Sequence, residues 1–391
     1  GQYYLHNFLK SQPDLNYHNP DVAKAMLDAC RFWLNMGIDG FRLDVVNFCY
    51  HDKFLRDNPQ YQKEAMESHL DFPDAYNMQS HIFSKTQPEN LEFLKSFRKM
   101  LNEYPGSFAV AEIHDDNQIK TSCVYTDGDE YLHTAYNFSL LGDKGTLPTA
   151  KLFRDTLTEQ DSQFETSWPS WAFSNHDVIR AASRWSGTEY DHDPQLSRLL
   201  PILLTSLRGT AFMYQGEELG LPEAHIPLKN ILDPWGQYLW PQWQGRDGCR
   251  TPMPWTPTEG KAGFTRTKET WLPIPENHYA LSVANQQKDK SSTLHTVRNF
   301  LKWRKTQPCM KTGDINFHWD LPDEILAFER TLEDQKILCL FNLTERHECI
   351  SFKRLDFPVC EPPSYKGSTA KIKGDIIDLP PYGFLFLEMP D

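Results

Sequence analysis

The sequence predicts an α/β fold, in which parallel strands alternate with helices, followed by a small antiparallel β domain. Two observations support this prediction. Helical and strand-like segments alternate between residue 20 and about residue 220, and short apolar runs with turn residues between them fill the chain from about residue 313. The chain has 391 residues, which is enough for one large domain and one small one.

The alternation can be followed element by element. Helices are predicted near 20–36, 89–103, 149–159 and 194–207, and the first begins after the cap-like Asn19 and ends at Gly37. Strands are predicted at 38–46, 107–113, 134–140, 170–177 and 209–220. Strands that alternate with helices in this way are typical of a parallel sheet covered by helices. Region 221–280 is rich in proline and tryptophan, and loops of that length are usually functional.

The composition limits the classes of partner and compartment. A net charge of −13 argues against nucleic acid or an anionic membrane as the main partner. No stretch of 18 apolar residues is present, so no membrane span is expected. The eight cysteines include no CxxC pair, and two lie in apolar segments, which favours a reduced, cytoplasmic protein.

Opposite charges lie two residues apart in the strand "IDGFRLDVV" at 38–46. A strand points Arg42 and Asp44 to one face and Leu43 to the other. Two charges on an interior face are costly unless they are paired. From this segment alone, a structural ion pair and a functional site are equally good interpretations.

Two further carboxylates end predicted strands. Glu112 ends "SFAVAEI", where desolvation would suit it to act as a general acid, and Asp177 ends "WAFSNHD". Taken singly, each could be a solvated strand end or a helix cap. Together with Asp44 they predict a site at the carboxyl ends of parallel strands, suited to a neutral polyhydroxy substrate. His176 and Asp177 have no partner at metal-ligand spacing.

The ordered segments resemble the α-amylase clan of glycoside hydrolases. The segments that carry this resemblance are "QPDLN", "GFRLD", "AVAEI" and "FSNHD", while "YQGEELG" and "RDGCRTPMPW" are similar to the α-glucosidase and oligo-1,6-glucosidase branch. The resemblance implies a (β/α)8 TIM barrel, of which strands four to eight are present, and an all-β C-terminal domain. We expect residues 1–312 to form the barrel portion, with the end of an inserted loop domain, and residues 313–391 the β domain.

The resemblance also implies a role for each carboxylate in retaining hydrolysis of short α-glucosides such as disaccharides, with some transglycosylation. Asp44 matches the nucleophile that forms a β-glucosyl ester. Glu112 matches the acid/base, and Asp177 matches the transition-state stabiliser. Arg42 matches the arginine that orients the nucleophile, and His176 matches a histidine that donates to a sugar hydroxyl.

Three further residues are expected to bind substrate. Arg246 matches an arginine that closes the pocket behind the non-reducing end, and Phe138 and Glu223 are candidates for the outer pocket. The chemistry implied requires no cofactor.

The first three barrel strands of the family are not found in the sequence. A barrel of five strands has an open sheet edge, so we expect an N-terminal remainder of roughly 150 residues, in the same polypeptide or a separate chain. In the family, a structural calcium or magnesium site would lie in that remainder.

Alternative functions are compatible with the same segments. A sucrose isomerase or a trehalose-type hydrolase would use the same carboxylates. A non-enzymatic alternative is the ectodomain of a transporter complex, whose family members lack the carboxylates and carry a membrane anchor.

Overall fold

The computed structural model describes residues 1–60, 76, 78–142, 148–163, 168–187, 190, 192–258 and 261–389. The chain forms two compact units. The first comprises Gly1–Asn137 and Glu159–Ser170, and the second comprises Phe138–Thr158 and Trp171–Asp391.

Helices and strands alternate between residues 20 and 212, after which a run of helices and then a run of strands complete the described chain. The helices are α1 (Pro20–Asn35), α2 (Glu89–Leu101), α3 (Gln118–Tyr125), α4 (Ala150–Gln163), α5 (Ala181–Arg184), α6 (Pro194–Ser206), α7 (Pro234–Leu239), α8 (Glu276–Ala280), α9 (Val283–Lys288), α10 (Thr293–Lys305) and α11 (Pro308–Thr312). The strands are β1 (Gly40–Leu43), β2 (Phe108–Ala111), β3 (Thr134–Ala135), β4 (Ser170–Ala172), β5 (Thr210–Phe212), β6 (Asp314–Phe317), β7 (Ile325–Leu332), β8 (Gln335–Asn342), β9 (Glu348–Ser351), β10 (Lys371–Lys373), β11 (Ile376–Leu379) and β12 (Phe384–Glu388).

A parallel sheet in the order β1-β2-β3 organises the first unit. Helix α1 begins as predicted, because the side chain of Asn19 accepts a hydrogen bond from the backbone N–H of Asp21 at 3.0 Å. The apolar face of α2 packs against the small residues of β2. This core includes Leu94, Phe97 and Met100 of α2 and Ala109 and Ala111 of β2.

Gly40 permits the close approach of β1 to β2. A Cβ atom at this position would lie 1.7 Å from the carbonyl oxygen of Phe108, and the φ angle of Gly40 is +151°. No side chain fits at that distance, so glycine sets the start of the parallel register. This register places Arg42 opposite Val110 and Leu43 opposite Ala111.

The second unit contains two antiparallel sheets and the short pair β4-β5. One sheet has the order β12-β8-β7-β6 and the other β10-β11-β9. The α6 helix is buried over most of its length and packs with β7 and β8 in one core. Arg330 of β7 is fully buried, and its guanidinium donates to the carbonyls of Ser206 and Gly313, both at 2.8 Å.

The predicted helices and the antiparallel C-terminal strands are confirmed, while the barrel strands are shorter than predicted. Helices α3, α5 and α7 to α11 and strands β10 and β11 were not predicted. The boundary between residues 312 and 313 stays a prediction. All eight cysteines lie in described parts of the chain and are free thiols. None of the helices in those parts has the length and apolar character needed to span a bilayer.

Candidate active site

Strands β1 and β2 bring the first two predicted carboxylates together. Asp44 directly follows β1 and Glu112 directly follows β2. The parallel pairing continues past the strands, since the N–H of Glu112 donates to the carbonyl of Leu43 at 2.8 Å. The carboxyl ends of parallel strands meet at one sheet edge, which is where barrel enzymes carry their active sites.

Arg42 lies between these two carboxylates and donates to both. Its Nη1 bonds Asp44 Oδ1 and its Nη2 bonds Glu112 Oε2. The two carboxylates differ in exposure: the side chain of Asp44 is 73% exposed, and that of Glu112 only 11%. One carboxylate is therefore open for attack on a substrate, and the other is shielded in a way that suits proton transfer.

The charge of Arg42 is held by these contacts. Burial of the guanidinium lowers its pKa, but the ion pairs with Glu112 and Asp44 outweigh burial, and the net pKa of Arg42 is raised. The guanidinium also lies over the ring of Tyr136, 6.0 Å from the centroid. Burial is the largest cause of the raised pKa of Tyr136. Tyr136 was not identified from the sequence.

The backbone after Asp44 turns sharply. Val45 adopts a left-handed conformation with φ 31°, which is rare for a β-branched residue. The N–H of Val46 then donates to the carbonyl of Glu112 at 3.0 Å. Buried Asn47 donates to the carbonyl of His114 at 2.8 Å and accepts from its N–H at 3.2 Å. These bonds connect the loop that follows β1 to the loop that follows β2.

The third predicted carboxylate, Asp177, lies in the second unit and is shared by two arginines. Asp177 Oδ1 accepts from Nη1 of Arg246 at 3.0 Å and from Nη2 of Arg250 at 2.8 Å. Nε2 of His176 lies 3.2 Å from Asp177 Oδ2. The structure thus groups the predicted residues His176, Asp177 and Arg246.

Arg246 is bound more tightly to a carboxylate that was not predicted. Its Nε and Nη2 both donate to Asp233, each at 2.9 Å, which is the bidentate geometry that arginine favours. The hydrogen bonds to Asp233 raise the pKa of Arg246 further above its ordinary value. Burial raises the pKa of Asp233, but the bonds from Arg246 outweigh burial, so the net pKa is lowered.

Arg250 is a second member of this group that the sequence interpretation missed. Its Nε donates to the carbonyl of His176 at 2.7 Å, in addition to its bond with Asp177. A short 3-10 helix spans Asp247–Arg250. Arg246 is the residue just before this helix, and Arg250 is its last residue. The available signal was the pair of arginines in "RDGCR", of which only the first was selected.

The two candidates for the outer pocket make other contacts. Phe138 is half-buried, and its carbonyl accepts from the N–H of Leu141 at 2.9 Å. Glu223 is buried, and its Oε2 accepts from the N–H of Arg180 at 2.9 Å. Burial raises the pKa of Glu223 to about 7. Contact of either residue with substrate stays a prediction.

The predicted residues therefore form two groups. Arg42, Asp44 and Glu112 are bonded together in the first unit, and His176, Asp177 and Arg246 in the second. Over the ranges that the structure describes, no cluster of three His, Cys, Asp or Glu side chains is arranged to hold a metal ion.

Known proteins share both the sequence and the fold. The alpha amylase catalytic domain matches residues 1–313. A probable alpha-glucosidase of Rhizobium meliloti (strain 1021) is 42% identical over 390 residues, which cover 99% of this chain and 69% of that protein. The oligo-1,6-glucosidase of Parageobacillus thermoglucosidasius is 27% identical over 377 residues, which cover 88% of this chain and 64% of that protein.

The fold of this chain is similar to that of a solved structure. The crystal structure of an alpha-glucosyl transfer enzyme, XgtA, has a TM-score of 0.90 and 41% identity, and the alignment covers 99% of this chain and 71% of that one. The chain thus spans about two thirds of the length of these relatives. The comparisons confirm the predicted fold class, a (β/α)8 barrel with a C-terminal β domain. The chain belongs to the alpha-amylase family of glycoside hydrolases, on its alpha-glucosidase and oligo-1,6-glucosidase branch.

Proposed function

We propose that the protein carrying this chain is a retaining α-glucosidase that hydrolyses short α-glucosides and transfers their glucosyl group. The observation that supports this most is the pair of carboxylates at the ends of β1 and β2, with Arg42 bonded to both. Asp44 is exposed and Glu112 is shielded, so the two can take different parts in one reaction.

In the first step, Asp44 attacks the anomeric carbon as the glycosidic bond breaks, and Glu112 donates its proton to the departing oxygen. This forms a β-glucosyl ester on Asp44 and releases the aglycone. Arg42 keeps the attacking oxygen in place by donating to the same carboxylate. Retention requires the two carboxylates to stand close together, and their shared guanidinium supports that arrangement.

In the second step, water attacks the anomeric carbon of the β-glucosyl ester and Glu112 takes a proton from that water. The bond to Asp44 breaks, and glucose leaves with its original anomeric configuration. A sugar hydroxyl in place of water gives transglycosylation. Every proton and electron pair moves among the substrate, the attacking water or sugar hydroxyl, and the two carboxylates, so no cofactor is required.

We assign Asp177 to the sugar hydroxyls of the glucosyl ring, where its contacts strengthen as charge develops in the transition state. His176 and Arg246 are its proposed partners in this pocket. Asp177 is held by two arginines, and a fixed carboxylate suits such a role because it needs little reorganisation during reaction.

We further propose that an N-terminal remainder completes the barrel beside β1. Among the described strands, β1 pairs with β2 alone and so ends the sheet. Phe32, Trp33 and Met36 at the end of α1 are at least 50% exposed. Residues 1–391 expressed alone should therefore aggregate or lack activity. A stable, active monomer would contradict this part of the proposal.

A product profile of the whole protein tests the activity. The protein should release glucose from at least one of maltose, isomaltose, sucrose and trehalose, and the α-anomer should form first. An isomeric disaccharide as the main product from sucrose would favour the isomerase alternative. No turnover of an aryl α-glucoside or of any of these sugars would refute the proposal and favour the non-enzymatic one.

A further inference from the structure

A fully buried arginine lies three residues after Asp177. Arg180 is 1% exposed, so it presents no surface to a substrate. Its Nη1 donates to the carbonyl of Gln215 at 2.7 Å, and its Nη2 donates to the carbonyl of Cys249 at 2.9 Å. A buried guanidinium that bonds backbone carbonyls fixes the segments that carry them.

One of those segments holds the arginines of the Asp177 group. Cys249 lies in the 3-10 helix Asp247–Arg250, between Arg246 and Arg250. The hydroxyl of Tyr214 donates to the same carbonyl of Cys249 at 3.0 Å, and the guanidinium of Arg180 lies 5.2 Å from the centroid of the Tyr214 ring. Two donors in contact with each other therefore hold this short helix at one atom.

Glu223 contacts both Arg180 and the short helix. Its carboxylate accepts from the N–H of Arg180 at 2.9 Å. It also lies against Gly248, where a Cβ atom would be 2.1 Å from Glu223 Oε1. The N–H of Ala224 donates to the carbonyl of Gly248 at 3.3 Å. The loop that carries Asp177 and the helix that ends at Arg250 are thus bound to common partners.

We propose that Arg180 is a positioning residue: it holds the Asp247–Arg250 helix so that Arg246 and Arg250 keep the carboxylate of Asp177 in one orientation. This inference rests on the proposed function, because it concerns a carboxylate that acts in the transition state. Arg180 acts through the two arginines and touches neither the substrate nor Asp177.

Replacement of Arg180 by lysine tests the proposal in the whole protein. A lysine has one nitrogen at its tip and cannot reproduce the fork that reaches Gln215 and Cys249 together. We expect kcat for an aryl α-glucoside to fall about 100-fold, with KM changed less than about threefold, because the lost contact matters in the transition state. Unchanged kcat in a folded Arg180→Lys protein would overturn the proposal.

Arg330→Lys is the matched control. Arg330 is also fully buried, and its hydrogen bonds also go to backbone carbonyls, those of Ser206, Leu207, Met310, Gly313 and Asp314. None of these belongs to the Asp247–Arg250 helix. The Arg330→Lys variant should lower Tm as much as Arg180→Lys does, and its kcat per folded molecule should stay within about twofold of the wild-type value. An equal loss of kcat in both variants would show that destabilisation alone explains the effect, and would also overturn the proposal.

Two further measurements keep the test decisive. Tyr214→Phe removes the second donor to the carbonyl of Cys249 without adding bulk, and we expect kcat to fall about fivefold. If Arg180→Lys does not fold, the kcat of Tyr214→Phe is the deciding measurement. A wild-type kcat in Tyr214→Phe would then overturn the proposal. In a double-mutant cycle, Arg180→Lys and Arg250→Lys together should cost less than the product of their separate effects, and full additivity would contradict a shared path.

The failure of this inference can be separated from failure of the proposed function. If Asp44→Asn abolishes turnover while Arg180→Lys retains wild-type kcat, only the positioning role is wrong. If Asp44→Asn retains turnover, the catalytic assignment itself is wrong.

Discussion

The two groups of site residues differ in the number of arginines that bond each carboxylate. In the first unit, one arginine, Arg42, is divided between the carboxylates of Asp44 and Glu112. In the second unit, two arginines, Arg246 and Arg250, converge on one oxygen of Asp177. A guanidinium that serves two carboxylates still has one ion pair when either of them is esterified or protonated. Two cations on one carboxylate instead fix its orientation.

This difference in pairing fits a reacting role for the first group and an orienting role for the second. In the proposed mechanism, the carboxylates of the first group change their covalent or protonation state in each turnover, and one shared cation can stay bonded to either of them. In the same mechanism, the carboxylate of the second group keeps its state, so its surroundings can be rigid. Asp233, fully buried on the far side of Arg246, adds to that rigidity.

Asp44→Asn should have the largest effect, because it removes the nucleophile of the first group and keeps its shape. We expect kcat for an aryl α-glucoside to fall by about 10⁴-fold or more. The side chain is 73% exposed, so Tm should stay within about 2 °C of the wild-type value. Initial rates and a thermal melt of the whole protein measure both quantities. Activity above one per cent of wild type would remove Asp44 from the mechanism.

Arg42→Lys should remove the simultaneous hydrogen bonds from one cation to both carboxylates of the first group. A lysine ammonium can approach Asp44 or Glu112, but it cannot donate to both in the geometry of a fork. We expect kcat/KM to fall by about 10²–10³-fold and the acidic limb of its pH profile to move to higher pH, since the carboxylate that loses its bond to a cation is harder to ionise.

Arg31→Lys is the control for that substitution. Arg31 also stands between two carboxylates, at 3.2 Å from Asp28 and 3.5 Å from Glu103, but on the surface of α1. Exposed pairs contribute little, so activity and its pH profile should not change. A wild-type profile in Arg42→Lys would mean that the two carboxylates of the first group do not depend on their shared cation.

Gly40→Ala should damage the first group through the backbone. The added Cβ would lie 1.7 Å from the carbonyl oxygen of Phe108, so β1 and β2 must separate at the start of their register. We expect a loss of about 3 kcal/mol in the free energy of unfolding, and a lower kcat because Asp44 and Glu112 lose their alignment. Urea unfolding and initial rates measure the two effects.

Gly37→Ala provides the comparison for Gly40→Ala within the same connection. Gly37 also has a positive φ, +93°, but no atom lies within 4 Å of a Cβ built there. Only the backbone strain of about 1 kcal/mol should remain, with kcat unchanged. Equal losses in the two variants would show that the contact with Phe108 contributes nothing.

The first group could be predicted from the sequence more fully than the second. Strand periodicity places Arg42 and Asp44 on one face, and parallel pairing brings Glu112 beside them, so three residues follow from local pattern and fold class. In the second group, Asp233 and Arg250 lie in irregular loops and a 3-10 helix. Such segments have no period from which a facing residue can be deduced.

The same limit explains the errors in the fold. Strand β10 is the exposed "KIK", which has too few apolar residues to be recognised as a strand. Arg330, which would be expected at the surface of a strand, is fully buried because its donors meet carbonyls of Ser206 in α6 and Met310 in α11. Strand β10 lies at the edge of its described sheet and pairs with the adjacent β11, so it needs few buried residues. Arg330 is buried by contacts between residues distant in sequence, which a local pattern does not contain.

Glu223→Gln should have a smaller effect than Gly40→Ala, and it tests the surroundings of the second group through the dependence of stability on pH. Burial raises the pKa of Glu223 from 4.5 to about 7, although Arg180 and Arg184 oppose this. The folded protein therefore keeps this proton between pH 4.5 and 7, where the unfolded chain has lost it, so the group reduces stability as pH rises through that window. Glutamine removes the ionisation and keeps an oxygen that can accept from Arg180.

The variant should consequently gain stability relative to wild type at pH 8 and not at pH 5. We expect a difference of about 2 kcal/mol between the two pH values, measured from urea unfolding midpoints. Glu345→Gln, at a surface position of the second unit, should show the same stability change at both pH values. If Glu223→Gln also behaves identically at pH 5 and pH 8, the carboxylate is ionised inside the folded protein. The second group would then hold a balanced pair of buried charges, Glu223 and Arg180, beneath Asp177 and its two arginines.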